Sequence, residues 1–270
     1  MALRILVRGG GDLASGVILR LHRAGWQVLV TELPSPLTVR RFVSFAQAIY
    51  DEAFVIEGVR ARKASTAEDI EEYLQAGEVP VIVDPDLAML DVFRPQVLID
   101  ARMRKRPPEV GREAAALVIG LGPGFRAGQD CHAVIETNRG PYLGRVYWEG
   151  AAQADTGIPE RRGDYQSERV LRAPADGDLE PAANIGDVIA QGAVIAQVAG
   201  QPVTARFDGV LRGLVYAGLH VKTGDKIGDL DPRLDPSLCW LVSDKSLSIA
   251  GGVLEAILAW QPIRGYVRES

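Results

Sequence analysis

The chain has 270 residues, 47% hydrophobic and 24% charged, with a formal net charge of −5. That balance fits a soluble globular protein with a real core, and the lack of a broadly basic surface excludes nucleic-acid binding as a main activity. Apolar runs are too short to span a membrane, and MALRILVRGG does not have the layout of a signal peptide, so a cytoplasmic protein without a membrane partner is expected. Cys131 and Cys239 make no disulfide framework, and the scattered His22, His132 and His220 argue against a zinc site of Cys and His, so no metal is expected.

LRILV (3–7) reads as a buried strand. Leu13, Val17, Ile18 and Leu21 form the apolar stripe of a helix that ends at Ala24-Gly25, and WQVLVTEL (26–33) is a second strand. Between strand and helix, Gly9-Gly10-Gly11-Asp12-Leu13-Ala14 is a GxGxxA pattern. Such spacing makes a tight turn, lets backbone approach a pyrophosphate and packs helix on strand, with the helix N-terminus facing the anion. Glu32 ends the second strand, where an acid bonds a ribose hydroxyl in dinucleotide sites. Asp12 at the mouth would repel a phosphate unless it caps the helix.

TVRRFVSFAQAIY (38–50) has near-helical apolar spacing, and FVIEGVRARKA (54–64) alternates like a strand. Ser65-Thr66 before Glu68-Asp69 has capping-box spacing, for a helix ending on Gly77. VPVIVDP (79–85) is a strand, DLAMLDVF a short helix, and QVLIDARM (96–103) a strand with Asp100 near its end. AAALVIG (114–120) is one more strand. This alternation implies a parallel sheet with ligands beyond the carboxyl ends of its strands, where Gly9–Asp12, Glu32, Asp84, Asp100 and Gly120–Gly124 fall. RMRKRPPEVGR (102–112) carries Arg102, Arg104, Lys105, Arg106 and Arg112, either an oxyanion clamp or a solvated turn.

GLGPGFRAGQDCHAVIETNRG (120–140) joins a second glycine loop, with Gly120, Gly122 and Gly124, to the adjacent Cys131-His132. A catalytic pair is one reading. If CHAVIET is a strand, Cys131 shares an apolar face with Ala133 and Ile135, while His132 shares a polar one with Asp130 and Glu136. Cys131 then reads as a buried core thiol. Gly120–Gly124 becomes the second lip of the crevice opened by Gly9–Gly11, with His132, held by Asp130 or Glu136, as the nearest polar group.

From residue 165 short runs punctuated by Gly-Asp replace the helical stripes. Residues 173–198 and 205–230 match at an offset of 32, pairing Asp176-Gly177 with Asp208-Gly209, Leu179 with Leu211, Gly186 with Gly218 and Ile195 with Ile227. A small all-β unit of two interlocked halves follows. It resembles the barrel-sandwich hybrid of lipoyl and biotinyl carrier domains. Their modified lysine sits between the halves, whereas VAGQPVTA (198–205) has none, so carrier function is not transferred. SDKSLSIAGGVLEAILAWQP (243–262) is a helix whose Gly251-Gly252 needs close packing to justify it.

The expected architecture is α/β: a Rossmann-like parallel-sheet domain over 1–160 that binds a nucleotide or cofactor, a barrel-sandwich-hybrid-like β module over 161–235, and a C-terminal helical segment over 236–270.

RGGGDLASGVILRLHRAG, ELPSPLTVRRFVSFAQAIYD, IDARMRKR and the 120–140 stretch together resemble the YqeB-type family, across essentially the whole chain. That family is associated with selenium-dependent molybdenum hydroxylase systems. The resemblance implies an accessory role in maturing such a hydroxylase, with the hydroxylase or its cofactor-maturation proteins as partners and the molybdenum cofactor as a ligand. It transfers no catalytic residues. The first half is more weakly similar to XdhC-type accessory proteins of xanthine dehydrogenase.

Three readings stay open. A maturation factor would hold a phosphate-bearing nucleotide or pterin in the crevice, and Cys131 could carry a persulfide or selenium adduct as thiolate. An NAD(P)-dependent oxidoreductase would use Glu32 on the cofactor and His132 as acid-base group. A non-catalytic chaperone would dock the hydroxylase through its β module. Homo-oligomerisation is left open.

Overall fold

The computed structural model describes residues 2–103, 108–155, 165 and 167–268. They form two compact units, one of Met1–Pro36, Phe45–Asp155 and Val242–Ser270, the other of Leu37–Ser44 and Thr156–Leu241. The chain therefore does not divide at 160 and 235. Among the described residues no helix is long and apolar enough to cross a membrane.

The first unit begins with β1 (Arg4–Arg8), α1 (Asp12–Arg23) and β2 (Gln27–Glu32). α1 buries Ala14, Val17, Ile18 and Leu21 against the sheet side of the stripe and ends at Ala24-Gly25, where Gly25 has φ +87. Next come α2 (Ala48–Asp51), β3 (Ala53–Ile56), β4 (Val59–Ala64), α3 (Ala67–Gln75), β5 (Val79–Val83), α4 (Met89–Phe93) and β6 (Val97–Asp100). β7 (Leu117–Leu121), β8 (Ala133–Ile135) and β9 (Val146–Tyr147) complete the sheet. The strand order is β3-β4-β5-β2-β1-β6-β7-β8-β9. The run from β4 to β8 is parallel, and β3 and β9 pair antiparallel at the two edges.

The sheet is thus mixed, which corrects the expected Rossmann-like parallel domain. Three local features depart from the expected alternation. Residues 54–64 are a hairpin and not one strand, because Glu57 (φ 44) and Gly58 (φ 85) make a two-residue turn with both residues left-handed. The expected helix over 38–50 breaks into one-turn 3-10 segments, Arg41–Val43 and Phe45–Gln47, and the chain passes from one unit to the other at residues 44–45. No α-helix is described between β6 and β7 or between β7 and β8.

The second unit contains β10 (Val170–Arg172), β11 (Gly177–Pro181), β12 (Val188–Ile189), β13 (Val194–Val198), β14 (Gln201–Thr204), β15 (Gly209–Leu214), β16 (His220–Val221) and β17 (Lys226–Asp231). They make two four-stranded antiparallel sheets, β10-β17-β15-β12 and β14-β13-β11-β16. These sheets replace the expected barrel-sandwich-hybrid module. The duplication itself holds: β11, β12 and β13 begin 32 residues before β15, β16 and β17. Its hydrogen bonds repeat as well. Gly192 N–H donates to Ala205 O and Gly224 N–H to Ala173 O, both at 2.9 Å. Each sheet takes two strands from each half of the unit: β10 and β12 join β15 and β17 in one, and β14 and β16 join β11 and β13 in the other. Leu179, Leu211, Ile195 and Ile227 fill the core between them.

α5 (Asp244–Ala259) belongs to the first unit and is no separate domain. The Ser243 side chain caps it by accepting from Ser246 N–H at 3.0 Å. α5 crosses α1 so closely that a Cβ on Gly16 would lie 2.5 Å from Ser246 Cβ. A Cβ on Gly252 would lie 2.1 Å from Gly144 O, the close packing its sequence demanded, whereas Gly251 faces open space.

Candidate ligand site at the strand ends

Strand register brings Thr31, Arg8, Asp100 and Gly120 into one row across β2, β1, β6 and β7. Side chains two apart share a face, so these groups sit on the side whose interior holds Leu29, Leu6, Leu98 and Val118. Arg8 and Asp100 are buried charges and must be paired. Arg8 Nη2 donates to Pro85 O at 2.8 Å and Nη1 to Glu109 Oε2 at 2.9 Å, with Asp100 Oδ2 at 3.9 Å. Arg102 grips Asp100 through Nε–Oδ1 at 3.0 Å and Nη2–Oδ2 at 2.6 Å, and reaches Glu109 Oε2 at 2.8 Å. The four charges close a ring. The Thr31 hydroxyl in the same row is buried and has no hydrogen-bond partner among the described residues.

The first glycine loop lies against this ring. Gly9 has φ +94, donates to Thr31 O at 2.8 Å, and passes beneath Arg102. Gly10 packs on Ala46, whose N–H donates to Gly10 O at 2.9 Å, and Gly10 N–H donates to Glu32 Oε2 at 2.7 Å. The other Glu32 oxygen accepts from Leu33 N–H at 2.8 Å. Burial pushes the Glu32 carboxyl above its usual range, against the pull of those two N–H groups and of Arg102. Glu32 therefore braces the loop. Gly11 is the N-cap of α1 and Asp12 its first residue. Ser246 Oγ donates to Asp12 O at 2.9 Å, with the Asp12 carboxylate at 3.4 Å, so Asp12 is turned to α5.

The second loop meets the same segment from the other side. Gly122 has φ +73, and a Cβ there would lie 2.5 Å from Thr137 Oγ1 and 3.0 Å from Met103 Cε. A Cβ on Gly120 would strike the Phe125 ring, and Gly124 turns the chain at φ +100. Arg102 and Met103 thus lie between the two glycine loops, Arg102 on Gly9 and Met103 on Gly122. Asp84, also at a strand end, accepts from Ala88 and Met89 N–H at 2.8 Å and so organises the start of α4. Of the basic run, Arg112 donates to Gly128 O at 2.9 Å, and Arg104, Lys105 and Arg106 lie outside the described residues.

Cys131 and His132 do not join the site. β8 starts only at Ala133, after both of them. Cys131 is fully buried beneath the second loop, and burial pushes its thiol up to about 12, so it is no thiolate at neutral pH. His132 Nδ1 accepts from Val118 N–H at 2.9 Å, which places the proton on Nε2, and burial lowers its pKa. Its ring packs 4.9 Å from Trp260, whose indole donates to Ala116 O just before β7. His132 therefore points to the amino end of β7, away from the glycine loops. Asp130 instead accepts from Arg126 N–H, and buried Glu136 accepts from Thr137, Asn138 and Gln153 N–H. Among the described residues no group of three His, Cys, Asp or Glu side chains is placed to hold a metal ion.

Sequence reasoning missed Arg8 and Glu109. Arg8 had a signal, a charge ending an apolar strand directly before the glycine loop. Glu109 had none, since it reaches Arg8 across 101 positions.

No protein-family model matches the chain. Over 254 residues, 94% of the chain, it is 43% identical to the uncharacterized protein YqeB of Escherichia coli (strain K12). The chain spans 47% of that relative's length. Among solved structures it is similar to an aspartoacylase family protein from Mesorhizobium loti, with 12% identity, a TM-score of 0.28 and 85% of each chain covered. It is also similar to a succinylglutamate desuccinylase from Silicibacter sp. TM1040, with 13% identity, a TM-score of 0.25, and 85% of this chain and 84% of that one covered.

Proposed function

We propose that this protein is an accessory factor in the maturation of a selenium-dependent molybdenum hydroxylase, and that Arg8 and Arg102 hold a phosphate-bearing ligand of the molybdenum-cofactor type. The pathway is carried by the family resemblance. The ligand class is carried by one observation: two guanidinium groups from neighbouring strand ends, Arg102 lying against Gly9, converge on a single oxygen of the half-exposed Glu109 side chain. Guanidinium forks match phosphate oxygens as they match carboxylates. The donor set therefore fits the phosphate of such a ligand, and its metal centre is assigned no protein ligand. Both Glu32 oxygens are engaged by backbone N–H groups, which does not favour the ribose contact expected of it in a dinucleotide site. The buried, protonated Cys131 favours no adduct on that thiol.

The test uses cells that make the hydroxylase but lack this protein. Restoring the wild-type chain should restore hydroxylase activity, and Arg102→Ala, expressed to the same level, should lose most of it. Full restoration by Arg102→Ala would remove the site from the reading. Hydroxylase activity independent of the protein would remove the pathway.

A further inference from the structure

We infer that the Glu109 carboxylate sits in the place of the ligand's terminal oxyanion, so that a dianionic phosphate group binds by displacing it. The inference rests on the anion-binding reading of the strand-end site and adds which atoms form the seat. One oxygen, Glu109 Oε2, receives Arg8 Nη1 at 2.9 Å and Arg102 Nη2 at 2.8 Å. Those are the lengths of charge-assisted hydrogen bonds to any oxyanion.

The two arginines are anchored independently of Glu109. Arg8 is held by Pro85 O and lies beside Asp100, and Arg102 is locked on Asp100 through two side-chain bonds. Among the described side chains of the ring, removing Glu109 leaves two guanidinium charges against one carboxylate, a net positive seat. The exposures run the same way. The side chains of Arg8 and Asp100 are 7% and 4% exposed, whereas that of Glu109 is 48% exposed. The fixed members are interior and the displaceable one lies at the solvent side. A terminal phosphate or pyrophosphate carries more charge than the carboxylate it replaces and offers oxygens to both forks at once. A single neutral or monoanionic group does not have that advantage over Glu109.

The experiment is calorimetric titration of the full chain with inorganic pyrophosphate at low salt, on wild type, Glu109→Gln, Glu109→Ala and Arg102→Ala, with thermal melts to establish that each is folded. Emptying the seat should tighten pyrophosphate binding by roughly tenfold, because apparent affinity falls with the fraction of molecules whose seat is closed. Arg102→Ala should weaken it. If wild type binds and Arg102→Ala weakens binding, but both Glu109 variants bind no tighter than wild type, displacement is wrong and the anion site stands. If neither wild type nor the Glu109 variants bind, the anion site falls and this inference with it.

Discussion

Arg102 lies across Gly9: a Cβ on Gly9 would come 3.2 Å from Arg102 Cγ, at a backbone position with φ +94. Gly25 has a similar φ of +87 with nothing within 4 Å of its would-be Cβ. The pair separates backbone strain from the contact. Gly9→Ala and Gly25→Ala should each lower unfolding free energy by about 1 kcal/mol from the left-handed conformation. Only Gly9→Ala should also weaken pyrophosphate binding, by pushing Arg102 off its seat. Denaturant melts and calorimetry on both variants check this, and equal binding by the two would refute the role of the contact.

Cys131 should be silent. Burial raises its thiol to about 12, and the Asp130 and Asp100 charges act in the same direction, while Gly120 N–H and Arg112 oppose. Iodoacetamide at pH 8 should leave Cys131 unmodified in the folded protein and label it once guanidinium unfolds the chain, as read by mass spectrometry. Cys131→Ala should retain hydroxylase activation and lose about 1 kcal/mol of stability through lost packing. Rapid labelling of the native protein would show an exposed thiolate.

Adjacent glycines of α5 should respond oppositely. Gly251 meets nothing, so Gly251→Ala should stabilise by about 0.5–1 kcal/mol through helix propensity. Gly252→Ala would drive a methyl against Gly144 O and should destabilise by about 1–3 kcal/mol. Thermal melts of the two single variants give the sign directly.

The second unit should carry an acid-sensitive ion pair. Burial alone would raise the Asp231 carboxyl, but the Arg233 hydrogen bonds and the charges of Arg233 and Arg212 hold it at about 2, below the usual 3.8. The folded pKa is depressed, so the stabilisation is present above pH 3.8 and is lost as pH falls through about 2. A tenfold change in proton affinity is worth about 1.4 kcal/mol, so the contribution at neutral pH is about 2 kcal/mol. Asp231→Asn should remove most of it and flatten the pH dependence of unfolding between pH 4 and 2, measured by denaturant titration at each pH.

Local chemistry was legible wherever neighbours along the chain decide the structure. The stripe from Leu13 to Leu21 gave α1, and the Thr66–Asp69 spacing gave a capping box in which each residue bonds the other's backbone. The offset of 32 predicted equivalent strands because both copies carry the same turn signals. What failed was one local turn and the contacts that long-range packing decides. Glu57-Gly58 looked like part of an alternating run and proved to be a tight turn. Cys131 is the buried thiol that its apolar face implied, but His132 meets Val118 N–H and Trp260 in place of Asp130 or Glu136. At the site, Gly9, Asp100 and Arg102 were read correctly as neighbours at the strand ends. Glu32 stands at the expected strand end, where its carboxylate accepts from the Gly10 and Leu33 amides, a pairing the sequence did not suggest. The charge ring was invisible because Arg8 and Glu109 are joined only by the folded sheet.

The mixing of strands from both halves in each sheet has a consequence for how the second unit arises. Neither half contains all the strands of either sheet, so a chain severed near Gly200, in the turn between β13 and β14, would leave two fragments that each hold two of the four strands of both sheets. Each fragment holds the two strands that the other lacks in each sheet. The unit has the logic of a symmetric dimer whose subunits were fused end to end: the two-fold relation that normally joins separate molecules has become an internal property of one polypeptide.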